Sequence, residues 1–136
     1  MIIESILLYG AETWTITKKL EKEIDGCYTR LLRHAQNIHW KSHIHNTELY
    51  GKLPRATESI RIRRLRLAGH CHRHVEPAQT VLFWKPTHGY RRPGRPPLDY
   101  VTLLQEDTGL EVADMKSTMT DREHWRVTVI GSGAPK

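Results

Sequence analysis

The segment at residues 85–97 places four prolines and two glycines in thirteen positions. Proline cannot donate a backbone hydrogen bond and glycine weakens regular structure, so this segment is expected to be extended or looped. Helical patterns lie before and after it. The chain is therefore predicted to divide into a helical segment at residues 1–76, a basic Gly/Pro-rich loop at residues 77–97, helices at residues 98–130 and a flexible tail at residues 131–136.

Apolar residues recur at spacings of three and four over most of the remaining chain, which is typical of amphipathic helices. With 136 residues, of which 38% are hydrophobic, the chain has the size of one small domain. The predicted fold is mainly α, a small multi-helix array with a basic Gly/Pro-rich irregular insert. Residues 80–84 remain open between a helical turn and a strand, and a short β-hairpin at residues 81–92 is an alternative. The helices are predicted at residues 2–9, 18–36, 48–50, 58–74, 97–107, 112–118 and 120–130.

The two longest predicted helices carry signals for how they begin and pack. Thr17 and Thr57 stand where an N-cap is expected, because a threonine hydroxyl can accept a hydrogen bond from the first helical turn. Gly26 lies inside the first of these helices and is expected to mark close packing there. One face of that helix is predicted to be buried, formed by Leu20, Ile24, Cys27, Leu31 and Ala35.

The net charge of +6 and the pI of about 9.5 favour a polyanionic partner, a nucleic acid or an anionic membrane surface. No apolar window approaches the ~18 residues that a membrane span needs, so a nucleic acid is expected and a membrane is not. Cys27 and Cys71 lack the spacing of a disulfide framework, which favours a reducing, intracellular location, nuclear or cytoplasmic.

The helix at residues 58–74 concentrates positive charge on one edge. At 100° per residue, its apolar residues fall on other sides, and four cationic positions at i, i+3, i+7 and i+10 form a stripe. A sugar-phosphate backbone would relieve the repulsion between them, and a solvated face balanced by acidic neighbours is the alternative. The stripe consists of Arg63, Arg66, His70 and Arg73.

The Gly/Pro-rich loop adds a second set of basic residues, on a scaffold that cannot become helical. Tyr90 and Trp84 are candidates for stacking on a base. The core Gly94-Arg95-Pro96 resembles that of an AT-hook, which inserts an arginine into the minor groove. Prolines occupy both flanking positions where the hook usually has a basic residue, so a rigid connector is the favoured interpretation. The basic residues of the loop are Lys85, His88, Arg91, Arg92 and Arg95.

The run GHCHRH at residues 69–74 invites a zinc hypothesis, but on a helix only His70 and His74 share a face. Two ligands do not complete a tetrahedral site, so no metal site is expected unless another histidine joins from His34, His39, His43 or His45. No nucleophile motif, phosphate-binding loop or paired carboxylates are present. The chain alone is therefore expected to be neither an enzyme nor cofactor-dependent.

Five blocks, in this order, resemble a known family: LLYGAETWTITKKLEKEIDGCYTRLLR, ELYGKLP, RIRRLRLAGHCHR, LFWKPTHGYRRPGRPPLDYVTLLQEDTGL and MTDREHWR. They are similar to the C-terminal region of the endonuclease–reverse transcriptase of non-LTR (LINE-type, RTE-like) retrotransposons. The similarity covers about residues 7–126, nearly the whole chain. One departure is Pro97, where family members often carry a basic residue.

The resemblance implies a fragment that follows the catalytic palm, with residues 1–76 as a thumb-like segment. The Tyr-x-Asp-Asp motif of the palm is not in this sequence, so the fragment would hold template–primer without catalysing synthesis. The implied partners are RNA, an RNA–DNA hybrid or DNA, and the upstream palm domain of the parent polyprotein. The abrupt apolar start also suggests a part of a longer protein. The nucleic-acid contacts that the resemblance implies are Arg63, Arg64, Arg66, His70, Arg73, Arg91, Arg92 and Arg95.

Two other functions remain open at this point. The chain could be an inert retroelement relic, or a structural helical module, with a merely solvated basic face. It could also be an independent DNA-binding module, with zinc if the histidines cooperate.

Overall fold

The computed structural model describes residues 2–74, 77–84, 94 and 99–131. Over these residues the chain forms α-helices and two short 3-10 turns, at Ala11–Thr13 and Trp40–Ser42, and no strand, which confirms the mainly α fold. The helices are α1 (Ile2–Leu7), α2 (Lys18–Ala35), α3 (Asn46–Tyr50), α4 (Ala56–Arg73), α5 (Ala78–Leu82), α6 (Tyr100–Thr108), α7 (Val112–Thr120) and α8 (Arg122–Gly131).

For residues 80–84 the sequence left a helical turn and a strand as alternatives. In the structure residues 80–82 belong to helix α5. Residues 85–92 of the alternative hairpin, and residues 93 and 95–97 of the Gly/Pro-rich loop, lie outside the described residues. Helix α6 begins at Tyr100 with Asp99 as its N-cap, later than the predicted start at Pro97. It ends as predicted at Gly109, whose φ of 70° is a left-handed conformation that glycine adopts without steric cost.

Helix α4 is the element around which the others pack. Its first half contributes Ile60 to a core formed with α2, α3 and the segment after α1. Its second half contributes Leu65 and Ala68 to another core, formed with α6, α7 and α8. Because one helix enters both clusters, its two ends hold together parts of the chain that are far apart in sequence. Among the described residues, no helix combines the length and hydrophobicity required to cross a membrane.

The buried face of α2 differs from the predicted one. Leu20 and Leu31 are 41% and 37% exposed and Cys27 is also exposed, whereas Tyr28 and Leu32 are fully buried. The prediction followed the aliphatic residues and placed Tyr28 at the flank. The ring of Tyr28 instead packs against that of Tyr50 of α3, with centroids 6.0 Å apart, and this large contact rotates the helix toward the aromatic residue.

The start of α4 is capped from another helix. Thr57 was predicted to be the N-cap, and this prediction is wrong. The N-cap position belongs to Arg55, whose side chain makes no capping bond. The carboxylate of Asp25 in α2 instead accepts hydrogen bonds from the backbone N–H and the hydroxyl of Thr57, at 3.0 and 2.9 Å. An anion at a helix N-terminus satisfies donors that lack a partner within the helix. The N-cap predicted at Thr17 is confirmed, since its hydroxyl accepts from Leu20 N–H.

Candidate nucleic-acid interface

Two arginines of the predicted stripe on α4 hold the ends of other helices. Arg63 donates to the backbone carbonyl of Leu8 at 3.1 Å and pairs with Glu4 at 3.5 Å, at the end of α1. Arg73 donates to the carbonyl of Met119 at 2.9 Å, in the last turn of α7. The last carbonyls of a helix have no partner within the helix, so both guanidinium groups act as C-terminal caps.

Arg64 lies in the interior, where it is only 3% exposed. Its Nε and Nη2 both donate to Oδ2 of Asp107 in α6, at 3.0 and 2.9 Å, and its Nη1 donates to the carbonyl of Trp14 at 3.4 Å. Burial raises the pKa of the Asp107 carboxyl, and the nearby Arg64 and Arg61 guanidinium groups only partly oppose that rise. Arg64, which the resemblance implied as a nucleic-acid contact, therefore faces the protein and not the solvent.

Tyr100 lies against this buried pair. The single proton of its hydroxyl is shared between two acceptors, the backbone carbonyls of Glu12 at 3.1 Å and Arg64 at 3.3 Å. Burial raises the pKa of Tyr100 to about 12. A phenolate at this position would lose both hydrogen bonds while remaining largely shielded from water.

This pKa predicts a loss of stability in alkali. Because the folded-state pKa lies above that of an unfolded tyrosine, the stabilisation is complete below about pH 10 and disappears as the pH rises through about 12. The free energy of unfolding, measured by urea titration, should fall less steeply over this interval in Tyr100→Phe than in the wild type. Exposed Tyr9 supplies the control, since Tyr9→Phe should keep the wild-type pH profile. If the free energy of unfolding fell equally steeply with pH in Tyr100→Phe and in the wild type, the raised pKa of Tyr100 would be contradicted.

The remaining part of the stripe borders a cleft of about 800 Å³ between α4 and α8, called the α4–α8 cleft below. Arg66 and His70 are exposed on its α4 side, and neither side chain has a hydrogen-bonding or ionic partner within the described part of the chain. The cationic and imidazole side chains that line it are Arg66, His70, Arg73 and His74 from α4 and its C-cap, with Arg122 and Arg126 from α8.

The charge of the α4–α8 cleft is strongly one-sided. Among its described lining residues, Glu123 is the only carboxylate. Glu123 lies 3.9 Å from Arg126, but both side chains are more than 70% exposed, and such a surface pair contributes little to stability. The guanidinium groups of Arg66, Arg122 and Arg126 thus remain available to an anion. The imidazole rings of His70 and His74 meet edge to face, with centroids 4.4 Å apart.

A close contact between two helices builds the floor of the cleft. The indole Nε1 of buried Trp125 donates to the carbonyl of Leu65 at 2.9 Å. The indole lies directly over Gly69, and a Cβ at that position would overlap the ring. Gly69 therefore lets α8 approach α4 closely enough for the two basic walls to face each other. Close packing was predicted at Gly26, but a Cβ there would meet open space.

The structure brings together Arg66, His70 and Arg73 of the predicted set and separates Arg63 and Arg64 from the α4–α8 cleft. The loop residues Lys85, Tyr90, Arg91, Arg92 and Arg95 lie outside the described residues. The sequence reasoning missed Arg122 and Arg126. Their i, i+4 spacing beside the buried Trp125 and Val129 was a visible signal, but its meaning depends on α8 packing against α4.

A larger groove of about 1110 Å³ lies between α2, α3, α4 and α6, but its charges are mixed. Because its described lining carries as many carboxylates as cations, it has no clear preference for an anion. Its charged lining residues are Lys18, Lys22, Arg55, Arg61, Arg64, Glu21, Asp25, Glu58, Glu106 and Asp107.

The zinc hypothesis gains no support from the geometry. In the part of the chain that the structure describes, no group of three or more His, Cys, Asp or Glu side chains is placed to hold a metal ion. His72, between the two histidines of the cleft, packs its ring edge to face on Phe83 at 5.9 Å. Cys27 and Cys71 are both free thiols.

No protein-family model, curated protein or solved structure matches this chain. Its function is therefore inferred from the α4–α8 cleft and from the sequence pattern.

Proposed function

We propose that this chain is a nucleic-acid-binding module that grips a phosphate backbone in the α4–α8 cleft. The observation that carries the proposal is the convergence of Arg66 and Arg73 with Arg122 and Arg126 on one cleft that has a single described carboxylate. Like charges that line one cleft repel one another unless an anion lies among them. A polymer of phosphates is the anion that such a row of guanidinium groups fits best, through paired N–H donors.

The resemblance to non-LTR retrotransposon proteins supports a nucleic acid over other polyanions. It favours a C-terminal fragment of a reverse transcriptase that grips template–primer RNA/DNA and leaves DNA synthesis to an upstream palm. The sequence carries no Tyr-x-Asp-Asp motif, so the role proposed for this chain is binding. Phosphate contacts fix the position of a nucleic acid without reading its sequence, which suits a module that must hold any template.

A structural helical module is the second candidate, and one observation favours it. Arg63, Arg64 and Arg73 are all engaged with carbonyls or carboxylates of other helices. Part of the basic character of α4 thus serves the fold. The two functions differ in what Arg66 and Arg122 should do. In the described part of the chain neither side chain bonds to another helix, and both line the cleft.

Replacing Arg66 and Arg122 by glutamine should weaken nucleic-acid binding by about 10- to 100-fold, because charge-assisted hydrogen bonds to two phosphates would be lost. The measurement is fluorescence anisotropy of a labelled RNA and a labelled RNA–DNA hybrid at a fixed, moderate salt concentration. The matched control is Lys19→Gln/Lys52→Gln, which removes the same charge from exposed positions outside the cleft and should change the affinity less than about threefold.

The choice of positions keeps the result interpretable. Arg63, Arg64 and Arg73 are avoided because their replacement would also release other helices. Circular dichroism should show the same helical content in both double variants. Equal losses in the cleft variant and its control would mean that only the net charge matters, and an absence of binding by the wild type at low salt would favour the structural module.

A further inference from the structure

We infer that the α4–α8 cleft receives an unpaired strand of nucleic acid, with bases covering its exposed flat side chains and phosphates meeting its arginines. This inference rests on the proposed function and names the form of the nucleic acid that the site takes. Three features of the cleft carry it: cations on both walls, exposed planar groups, and a small closed floor.

The placement of the cations indicates insertion between two walls. Arg66 and Arg73 belong to α4, whereas Arg122 and Arg126 belong to α8. Helices that pack directly against each other have axes only about 8–10 Å apart. A duplex is too wide to enter between them and would touch only the outer edges of the cleft. A single strand is narrow and flexible enough to present phosphates to both walls.

The cleft also exposes surfaces that phosphates alone would leave uncovered. The rings of His70 and His74 are exposed and tilted against each other, with 4.4 Å between their centroids. Ile130 lines the cleft and is 65% exposed. Unpaired bases stack on histidine rings and on guanidinium planes, and each stacked base contributes about 1–3 kcal/mol. In a duplex the base faces are already covered by their neighbours, so only an unpaired strand can make these contacts.

The floor limits how much of the strand can enter. Trp125 and Val129 are 3% and 4% exposed, so they close the bottom of the cleft and offer no free aromatic face. The volume of about 800 Å³ falls within the range of pockets that enclose one small ligand, roughly 300–1,000 Å³. The occupant is therefore a short stretch, on the order of a few nucleotides, with the rest of the strand outside.

The test compares three probes on the full chain at physiological salt. They are an unstructured RNA oligonucleotide, the same oligonucleotide annealed to its complement, and inorganic polyphosphate of similar charge, with a DNA version of each oligonucleotide. Stacking predicts that the single strand binds at least about tenfold more tightly than the duplex, because one or more bases contribute contacts that the duplex lacks. Polyphosphate should bind as weakly as the duplex.

Variants separate stacking from charge. His70→Ala/His74→Ala should lower the affinity for the single strand more than that for the duplex. The ratio of single-strand affinity to duplex affinity should therefore fall toward one. His34→Ala/His45→Ala, at exposed positions outside the cleft, should keep the wild-type ratio. Arg66→Gln/Arg122→Gln should weaken both probes.

The outcomes distinguish this inference from the proposed function. If duplex or polyphosphate binds as tightly as the single strand while the arginine variant weakens every probe, the inference is wrong and the nucleic-acid module stands. If the histidine variant and its control behave alike, stacking in the cleft is also excluded. If no probe binds the wild type, both proposals fail together.

Discussion

Replacing Arg64 by methionine is expected to lower the free energy of unfolding by about 3–5 kcal/mol, the cost of leaving a buried partner charge uncompensated. Arg64 is 3% exposed and gives two hydrogen bonds to one oxygen of Asp107, whose side chain is 14% exposed. Methionine would fill the space of the alkyl part of arginine. It would leave the carboxyl of Asp107 without its donor, and leave the carbonyl of Trp14 without the hydrogen bond that it now accepts.

Two controls isolate the buried charge as the cause. Arg66→Met makes the same substitution on the exposed side of α4 and should change the free energy of unfolding by less than about 0.5 kcal/mol. The double variant Arg64→Met/Asp107→Leu removes both charges and should recover most of the loss, because apolar pairs replace buried ion pairs at little cost. The measurement is urea unfolding followed by circular dichroism. If the double variant were no more stable than Arg64→Met alone, the uncompensated charge of Asp107 would not be the cause of the lost stability.

Gly69→Ala is expected to destabilise the protein even though alanine is the better helix former. A Cβ at this position would overlap the indole of Trp125, and overpacking a buried contact costs about 1–3 kcal/mol. The helix propensity of alanine offsets up to about 1 kcal/mol of that cost. Displacement of the indole would also break its hydrogen bond to the carbonyl of Leu65. Because this contact holds α8 against α4, nucleic-acid affinity should fall together with stability.

The matched control, Gly26→Ala, is expected to change the stability in the opposite direction. Gly26 lies inside α2 with nothing within 4 Å of an added Cβ, so Gly26→Ala should stabilise the protein by about 0.5–1 kcal/mol. Thermal unfolding gives the stabilities, and tryptophan fluorescence reports on the environment of the indole. If Gly69→Ala were as stabilising as Gly26→Ala, the close contact between α4 and α8 would be contradicted.

The helices were predictable because they depend on local pattern. The predicted bounds of α2, α4, α7 and α8 lie within about two residues of the observed ones, since apolar spacing and breaking residues mark them. The buried face of α2 was placed wrongly because the contact between Tyr28 and Tyr50 of α3 decides it. Local periodicity identifies a helix more reliably than it identifies the side that another helix will cover.

The candidate site was predictable only in part, for the same reason. Projection of α4 placed Arg63, Arg66, His70 and Arg73 on one stripe, but all four look equivalent in sequence. The carbonyls that accept hydrogen bonds from Arg63 and Arg73 belong to Leu8 and Met119, which lie 55 and 46 residues away. The partner of Arg64 is likewise 43 residues away. These pairings, and the arrival of α8 opposite Arg66, arise from tertiary packing.

The measurement that tests the central claim most directly is the salt dependence of nucleic-acid binding by the wild type and by Arg66→Gln/Arg122→Gln. If two arginines of the α4–α8 cleft neutralise phosphates, the slope of log affinity against log salt should be shallower in the variant by about 1.4 for a single strand or about 1.8 for a duplex. The exposed-lysine control, Lys19→Gln/Lys52→Gln, should keep the wild-type slope. Equal slopes in the cleft variant and the wild type would contradict the placement of the phosphate backbone in this cleft.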